Sequence, residues 1–213
     1  MAAALDYKKT LRELYGPGTT PSILTVPPAN YAAVRGRGDP NREDGEYKQA
    51  VGLLFAVSYT IKTSRLGTEV PPGYFNYVVP PLEGLWWMEG GRAGVDYANK
   101  EGFCFISMIR LPEFVTPGVL EWAKARAAAK KGLDTGKVEF LRLEEGECCQ
   151  CMHLGPFDDE PATMARMEAY AAEHGRRPDH SETRRHHEIY LSDPRKCAPE
   201  KLRTVLRAPV APL

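Results

Sequence analysis

The chain lacks an uninterrupted apolar run long enough to cross a bilayer. Its N-terminal segment, MAAALDYKKTLRELY, puts Lys and Arg where a secretory signal needs its apolar centre. A cytoplasmic protein with no membrane partner is expected. Excess charge is missing too: 28 Lys and Arg balance 28 Asp and Glu in 213 residues, so no net field draws the chain to nucleic acid or anionic lipid. Catalytic signatures are equally scarce, with no G-x-S-x-G elbow, no H-E-x-x-H helix, no P-loop and no strand-linked G-x-G-x-x-G. The five cysteines are an odd number, and the cluster Cys148, Cys149 and Cys151 has no second ligand pair to complete a zinc site. Free, buried thiols are expected, with Cys149 and Cys151 on one strand face and Cys148 on the other. Cys104 or Cys151 with His153 makes a weak nucleophile and base pair, because a histidine beside a strand is more often a satisfied structural residue.

What the chain does contain is an order of elements stated twice. In the first half, Ser22 to Arg37 reads as extended chain and Glu46 to Lys62 as an apolar helix buried along most of its length. Strands follow in Tyr74 to Val79 and Phe103 to Leu111. In the second, Lys137 to Leu154 reads as strands and Pro161 to His174 as a helix, followed by strands in His186 to Leu191 and Leu202 to Ala208. Acids at Asp158, Asp159 and Glu160 before Pro161 suit the positive end of a helix, and Gly175 suits its left-handed stop. Between the halves, Thr116 and Pro117 open a helix that Gly132 closes. The loops GPGTTPS, RGRGDPNREDG and TEVPPGY are too short to be flexible linkers. The expectation is therefore one α+β domain spanning 1–213, made of two strand-helix-strand-strand pseudo-repeats at about 20–112 and 137–210, joined by a helix at about 116–131.

One acid stands in what otherwise reads as a buried strand. In the alternation of RRHHEIYLSDPRK, His186, Glu188 and Tyr190 share one face, while His187, Ile189 and Leu191 share the other. Burying an ionised carboxylate unpaired is costly, so Glu188 is a solvated edge residue, a member of an ion pair, or a site. The adjacent Trp86 and Trp87 of VPPLEGLWWM should face opposite ways on a regular strand, one lining the site and the other packing elsewhere, unless Gly84 disrupts the alternation. Tyr59 on the first helix and Phe105 in GFCFISMIR are further wall candidates, with plain core as the alternative. Aromatic walls around one carboxylate suit planar or cationic organic molecules.

The blocks AVGLLFAVSYTIK, VVPPLEGLWW, SMIRLPEFVT, GPFDDEPATM and HHEIYLSDPRK run from Ala50 to Lys196. In them the chain resembles the GyrI-like small-molecule-binding family, which includes effector-binding domains of multidrug-sensing regulators. It is more narrowly similar to a free-standing subfamily that hydrolyses cyclopropane-bearing DNA alkylators of the yatakemycin and duocarmycin type. The resemblance implies duplicated modules with antiparallel sheets meeting about a pseudo-twofold axis, and a cleft between them holding the pocket glutamate, which matches Glu188. It also implies catalytic roles for Glu188 and Tyr190 and substrate binding by Trp86, Trp87, Tyr59, Phe105 and His186. Planar hydrophobic ligands are implied, with no metal or organic cofactor. Non-catalytic sequestration of hydrophobic or cationic drugs would use the same residues. A DNA-binding regulator is disfavoured, because Ala2 to Tyr15 cannot hold a helix-turn-helix and a dimerisation helix.

Overall fold

The computed structural model describes residues 3–90 and 96–213. Two short helices, α1 (Tyr7–Thr10) and α2 (Arg12–Tyr15), precede strands β1 (Ser22–Val26) and β2 (Ala29–Arg37), then α3 (Glu46–Thr63), β3 (Leu82–Met88) and β4 (Phe103–Arg110). Helix α4 (Pro117–Lys131) leads into β5 (Glu139–Leu143), β6 (Gly146–Leu154), α5 (Glu160–Glu173), β7 (Arg176–Pro178), β8 (His186–Tyr190) and β9 (Arg203–Pro212). The class is the expected mixture of helices with an antiparallel sheet. Among the described residues all strands join in one nine-stranded sheet of order β1-β6-β9-β8-β3-β4-β2-β5, with β7 added beside β9. The expected separate sheets are thus one, joined where β3 pairs with β8.

The stretch expected as one extended segment, Ser22 to Arg37, is two strands. Pro27 and Pro28 supply no ladder donors, so pairing stops there. β1 goes to β6 at one end of the sheet while β2 pairs with β4 and β5 at the other. The order therefore reads the same from either end when β1 is exchanged with β5, β6 with β2, β9 with β4 and β8 with β3.

Tyr74 to Val79 is not a sheet strand. Its one ladder contact is an isolated parallel bridge between Tyr77 and Leu5, and the prolines flanking it at positions 71, 72, 80 and 81 interrupt pairing on both sides. The strand in that place of the order is β3, which carries both tryptophans. Helix α3 buries one stripe along its length, with Ala50, Leu54, Val57 and Ile61 at helical spacing, whereas Gly52 and Tyr59 are exposed. Thr116 caps α4 by accepting from the Val119 N–H at 3.3 Å, and Gly132 ends it at φ 65°.

Helix α3 packs on β2 and β4, and α5 on β6 and β7, which leaves the seam of β3 and β8 between them. Ladder register puts Gly84 opposite Glu188 and Trp86 opposite His186. Trp86 shares a cluster with Phe105 and with Leu54 of α3, so these residues lie on the helix-bearing face. The opposite face buries Ile189 and Val205 against Tyr7, Leu14 and Tyr15 from the N-terminal helices. The cysteines follow the same alternation, with Cys149 and Cys151 under α5, Cys148 on the far face, and all five free.

Candidate functional site

On the helix-bearing face of β8, Glu188 is 6 % exposed and accepts a hydrogen bond from the Tyr190 hydroxyl at 2.8 Å. That hydroxyl in turn accepts one from Trp86 Nε1 at 2.8 Å. The indole therefore polarises the phenol, and the phenol holds the carboxylate. His186 Nε2 lies 3.3 Å from Glu188 Oε1 without hydrogen-bond geometry, and neither of its ring nitrogens has a hydrogen-bond partner among the described residues. Side chains two apart on a strand need only project in parallel, yet here Glu188 meets both of its same-face neighbours.

Gly84 makes the meeting possible. A Cβ there would stand 2.7 Å from Trp86 Nε1 and 3.1 Å from the Tyr190 oxygen, occupying the space in which these groups approach each other. The strand stays regular through Gly84, so the two tryptophans separate by face. Trp86 sits with Phe105 at 5.6 Å and Tyr47 at 5.4 Å between ring centroids. Trp87 lies on the far face, where the Arg185 guanidinium covers its ring at 4.6 Å. Phe105 is fully buried behind Trp86. Tyr59 is not brought to the cluster: it is 51 % exposed and its aromatic neighbour is Phe55, 6.2 Å away along α3. An i, i+4 pair on an outward helix face accounts for that placement.

Three members were not singled out from the sequence. Glu160, the first residue of α5, is fully buried and accepts from the Tyr97 hydroxyl at 2.6 Å. Tyr47 comes from the first turn of α3. Burial raises the Tyr47 and Tyr190 hydroxyls above the ordinary phenol range, and the charge of Glu188 adds to it. Burial first, then Glu188, also pushes Glu160 well above the usual carboxylate range. Glu160, His186 and Glu188 place one donor atom each within 4.8 Å of one another, a spacing a metal ion can use. One oxygen of each carboxylate is already committed to a tyrosine, while Glu160 Oε1 and both His186 nitrogens are buried without a partner among the described residues.

The other face of the same strand holds a second polar cluster. His187 Nδ1 lies 2.9 Å from Glu145 Oε1, His187 Nε2 lies 3.0 Å from Glu83 Oε2, and Arg207 Nη1 lies 3.0 Å from Glu145 Oε2. Tyr15 donates to Glu83 at 2.9 Å. Burial alone would lower His187, but the two carboxylates outweigh it and raise it to about 9. Burial likewise opposes ionisation of Glu145, yet His187 and Arg207 hold it down at about 2. This cluster ties α2, the turn before β6 and the sheet together. His153 is a satisfied structural residue, its ring nitrogens 3.0 Å from Thr163 Oγ1 and 2.9 Å from the Pro156 carbonyl.

The GyrI-like small-molecule-binding domain profile matches residues 19–211. The chain belongs to the GyrI-like family. Similar solved structures include two hydrolases from Listeria innocua. One is 45 % identical at TM-score 0.88, covering 97 % of this chain and all (100 %) of that one. The other is 46 % identical at TM-score 0.91, covering 98 % and 100 %. An uncharacterized conserved protein from the same organism is 47 % identical at TM-score 0.91, covering 97 % and 100 %. The C-terminal domain of EcmrR shares the fold alone, at 10 % identity and TM-score 0.52, over 91 % of this chain and 98 % of that one. No curated protein matches the sequence. Among the described residues of this GyrI-like chain, no helix is long and apolar enough to cross a membrane.

Proposed function

We propose that the protein is a hydrolase that opens the cyclopropane of planar cyclopropapyrroloindole-type alkylators, of the yatakemycin and duocarmycin kind, by adding water, and so detoxifies them. The observation that carries the reading is Glu188 itself, a buried carboxylate among Trp86, Tyr190 and Tyr47 that no Lys or Arg pairs with among the described residues. The similarity to two hydrolases over nearly the whole chain supports it. We also read the chain as one domain of two pseudo-repeats, supported by the exchange symmetry of its strand order.

In this reading the aromatic rings hold the flat substrate and Glu188 aligns a water with the cyclopropane methylene. The water oxygen bonds to that carbon while the ring C–C bond breaks, and its electron pair moves into the dienone, which becomes an aromatic phenolate. Glu188 takes the water proton. Its grip on the Tyr190 hydroxyl then loosens, Tyr190 protonates the phenolate oxygen, and Glu188 returns the proton to Tyr190 through the hydrogen bond of 2.8 Å. Trp86, donating to the Tyr190 oxygen, stabilises the charge passing through it. Product equals substrate plus one water, and these steps use side chains alone.

The test is mass analysis of such an alkylator after single-turnover incubation with the wild-type protein and Glu188→Gln. A water-added product is expected from the wild type, with the rate lower by about two to four orders of magnitude in the variant and affinity for a neutral substrate kept. Bound but unchanged substrate would replace hydrolysis by sequestration. In that case the variant should chiefly weaken cationic ligands.

A further inference from the structure

Glu160 enters the site from the first turn of α5, whereas Glu188 enters from β8. Each carboxylate gives one oxygen to a phenol: Glu160 Oε2 to Tyr97 at 2.6 Å, and Glu188 Oε2 to Tyr190 at 2.8 Å. Glu160 Oε1 is buried with no partner among the described residues. An oxygen of Glu160 lies within 4.8 Å of one of Glu188, and two ionised carboxylates this close and this dry repel strongly, with little around them to offset it. On β8, His186 makes no hydrogen bond to either acid. Tyr47 of α3 and Tyr97 are neutral phenols, both raised by burial first and then by the acids. Asp158, next to α5, adds negative charge, and the Lys100 ammonium is engaged with Asp158 at 2.6 Å.

We propose that Glu160 and Glu188 share one proton, resident on the free oxygen of Glu160 and directed at Glu188. Glu160 is thereby a positioning residue that keeps its neighbour ionised and aimed. The upward displacement of Glu160, caused by burial and then by Glu188, agrees with this arrangement. The shared proton explains why a second acid lies fully buried beside the first, and it assigns Glu160 a role distinct from the helix-terminal charge its sequence position implies. Only its kinetic consequence rests on the hydrolase reading.

Infrared difference spectra of the full chain at neutral pH, wild type against Glu160→Gln, test the proton directly. A carboxylic-acid C=O band is expected in the wild type and absent in the variant. Because the folded protein holds a proton that the unfolded chain has released, the wild type should lose stability relative to Glu160→Gln as pH rises above the ordinary glutamate range. With a cyclopropane substrate, the alkaline limb of the wild-type kcat profile should disappear in Glu160→Gln, whose amide still donates to Glu188. Glu160→Ala should lower kcat roughly a hundredfold with KM kept, a loss typical of a mispositioned base. An acid band without turnover would sustain the shared proton and defeat the hydrolase reading. Absence of the band in a folded wild type overturns the proposal. Stoichiometric binding of zinc or manganese lost in Glu160→Gln also overturns it, since a cation would then fill the place given to the proton.

Discussion

Replacing His187 with Gln tests the buried cluster beneath the site. The imidazole sits between Glu145 and Glu83 at 2.9 and 3.0 Å, with no exposure to solvent. Its displacement from 6.5 to about 9 corresponds to about 3 kcal/mol of folding stability. The folded value lies above the unfolded one. The contribution is therefore fully present below pH 6.5 and is lost as pH rises through about 9. At pH 6 the variant leaves buried Glu83 without its cation and Glu145 with Arg207 alone, a loss of about 3 to 5 kcal/mol by the usual effect of breaking a buried pair. At pH 10 the wild-type imidazole is itself neutral, so the gap between the proteins should shrink by about 3 kcal/mol. Denaturant titrations of both proteins at several values from pH 6 to 10 measure the gap, and taking the difference cancels slopes from other groups, Glu160 among them. A gap that stays constant across that range would refute the account of His187 as a charged member of the cluster.

Gly84→Ala places a methyl 2.7 Å from Trp86 Nε1 and should break the Trp86–Tyr190 hydrogen bond. A loss of about 1 to 3 kcal/mol is expected, read as a lower denaturation midpoint. Trp86→Ala should destabilise by about 3 to 5 kcal/mol because the ring is core as well as site. Trp86→Phe, which keeps a ring but loses the N–H, should still bind planar ligands while turning them over about tenfold more slowly, by loss of one hydrogen bond to the relay. Trp87→Ala should leave ligand affinity intact in calorimetry, since its ring is on the far face against Arg185.

Strand alternation in HHEIY was enough to place His186, Glu188 and Tyr190 on one face, because period-two geometry is local. The same alternation separates Trp86 from Trp87, although both remain candidates from sequence because Gly84 could disrupt it. It did not foresee that the site tryptophan is also the core one, since burial of Trp86 depends on Tyr47 and Phe105, which come from other elements. Tyr59 was misleading for a similar reason: every side of α3 is apolar in sequence, and only its packing on β2 and β4 decides which residues turn outward. Glu160 was legible as a helix-first acid, and that local explanation hid its tertiary partner. Tyr97 reaches Glu160 from 63 positions away in sequence, with no periodic signal to mark it. The proline pair at 27 and 28 did carry the break between β1 and β2, but their separate destinations depend on β6 and β5, which come much later in the chain.

Those destinations govern how the molecule assembles. During synthesis β1 emerges first among the strands, yet its partner β6 comes only after α4 and β5, so Ser22 must wait for Gln150. β5, which opens the second half, closes back onto β2 in the first. Each half thus supplies the outermost strand of the other, and neither can finish its part of the sheet alone. High contact order of this kind predicts slow, all-or-none folding with the closure entropy spent before the edge pairings repay it. A nick on either side of α4 should accordingly yield two fragments that regain structure only when mixed, and duplicated chains in tandem should be prone to trading edge strands between copies.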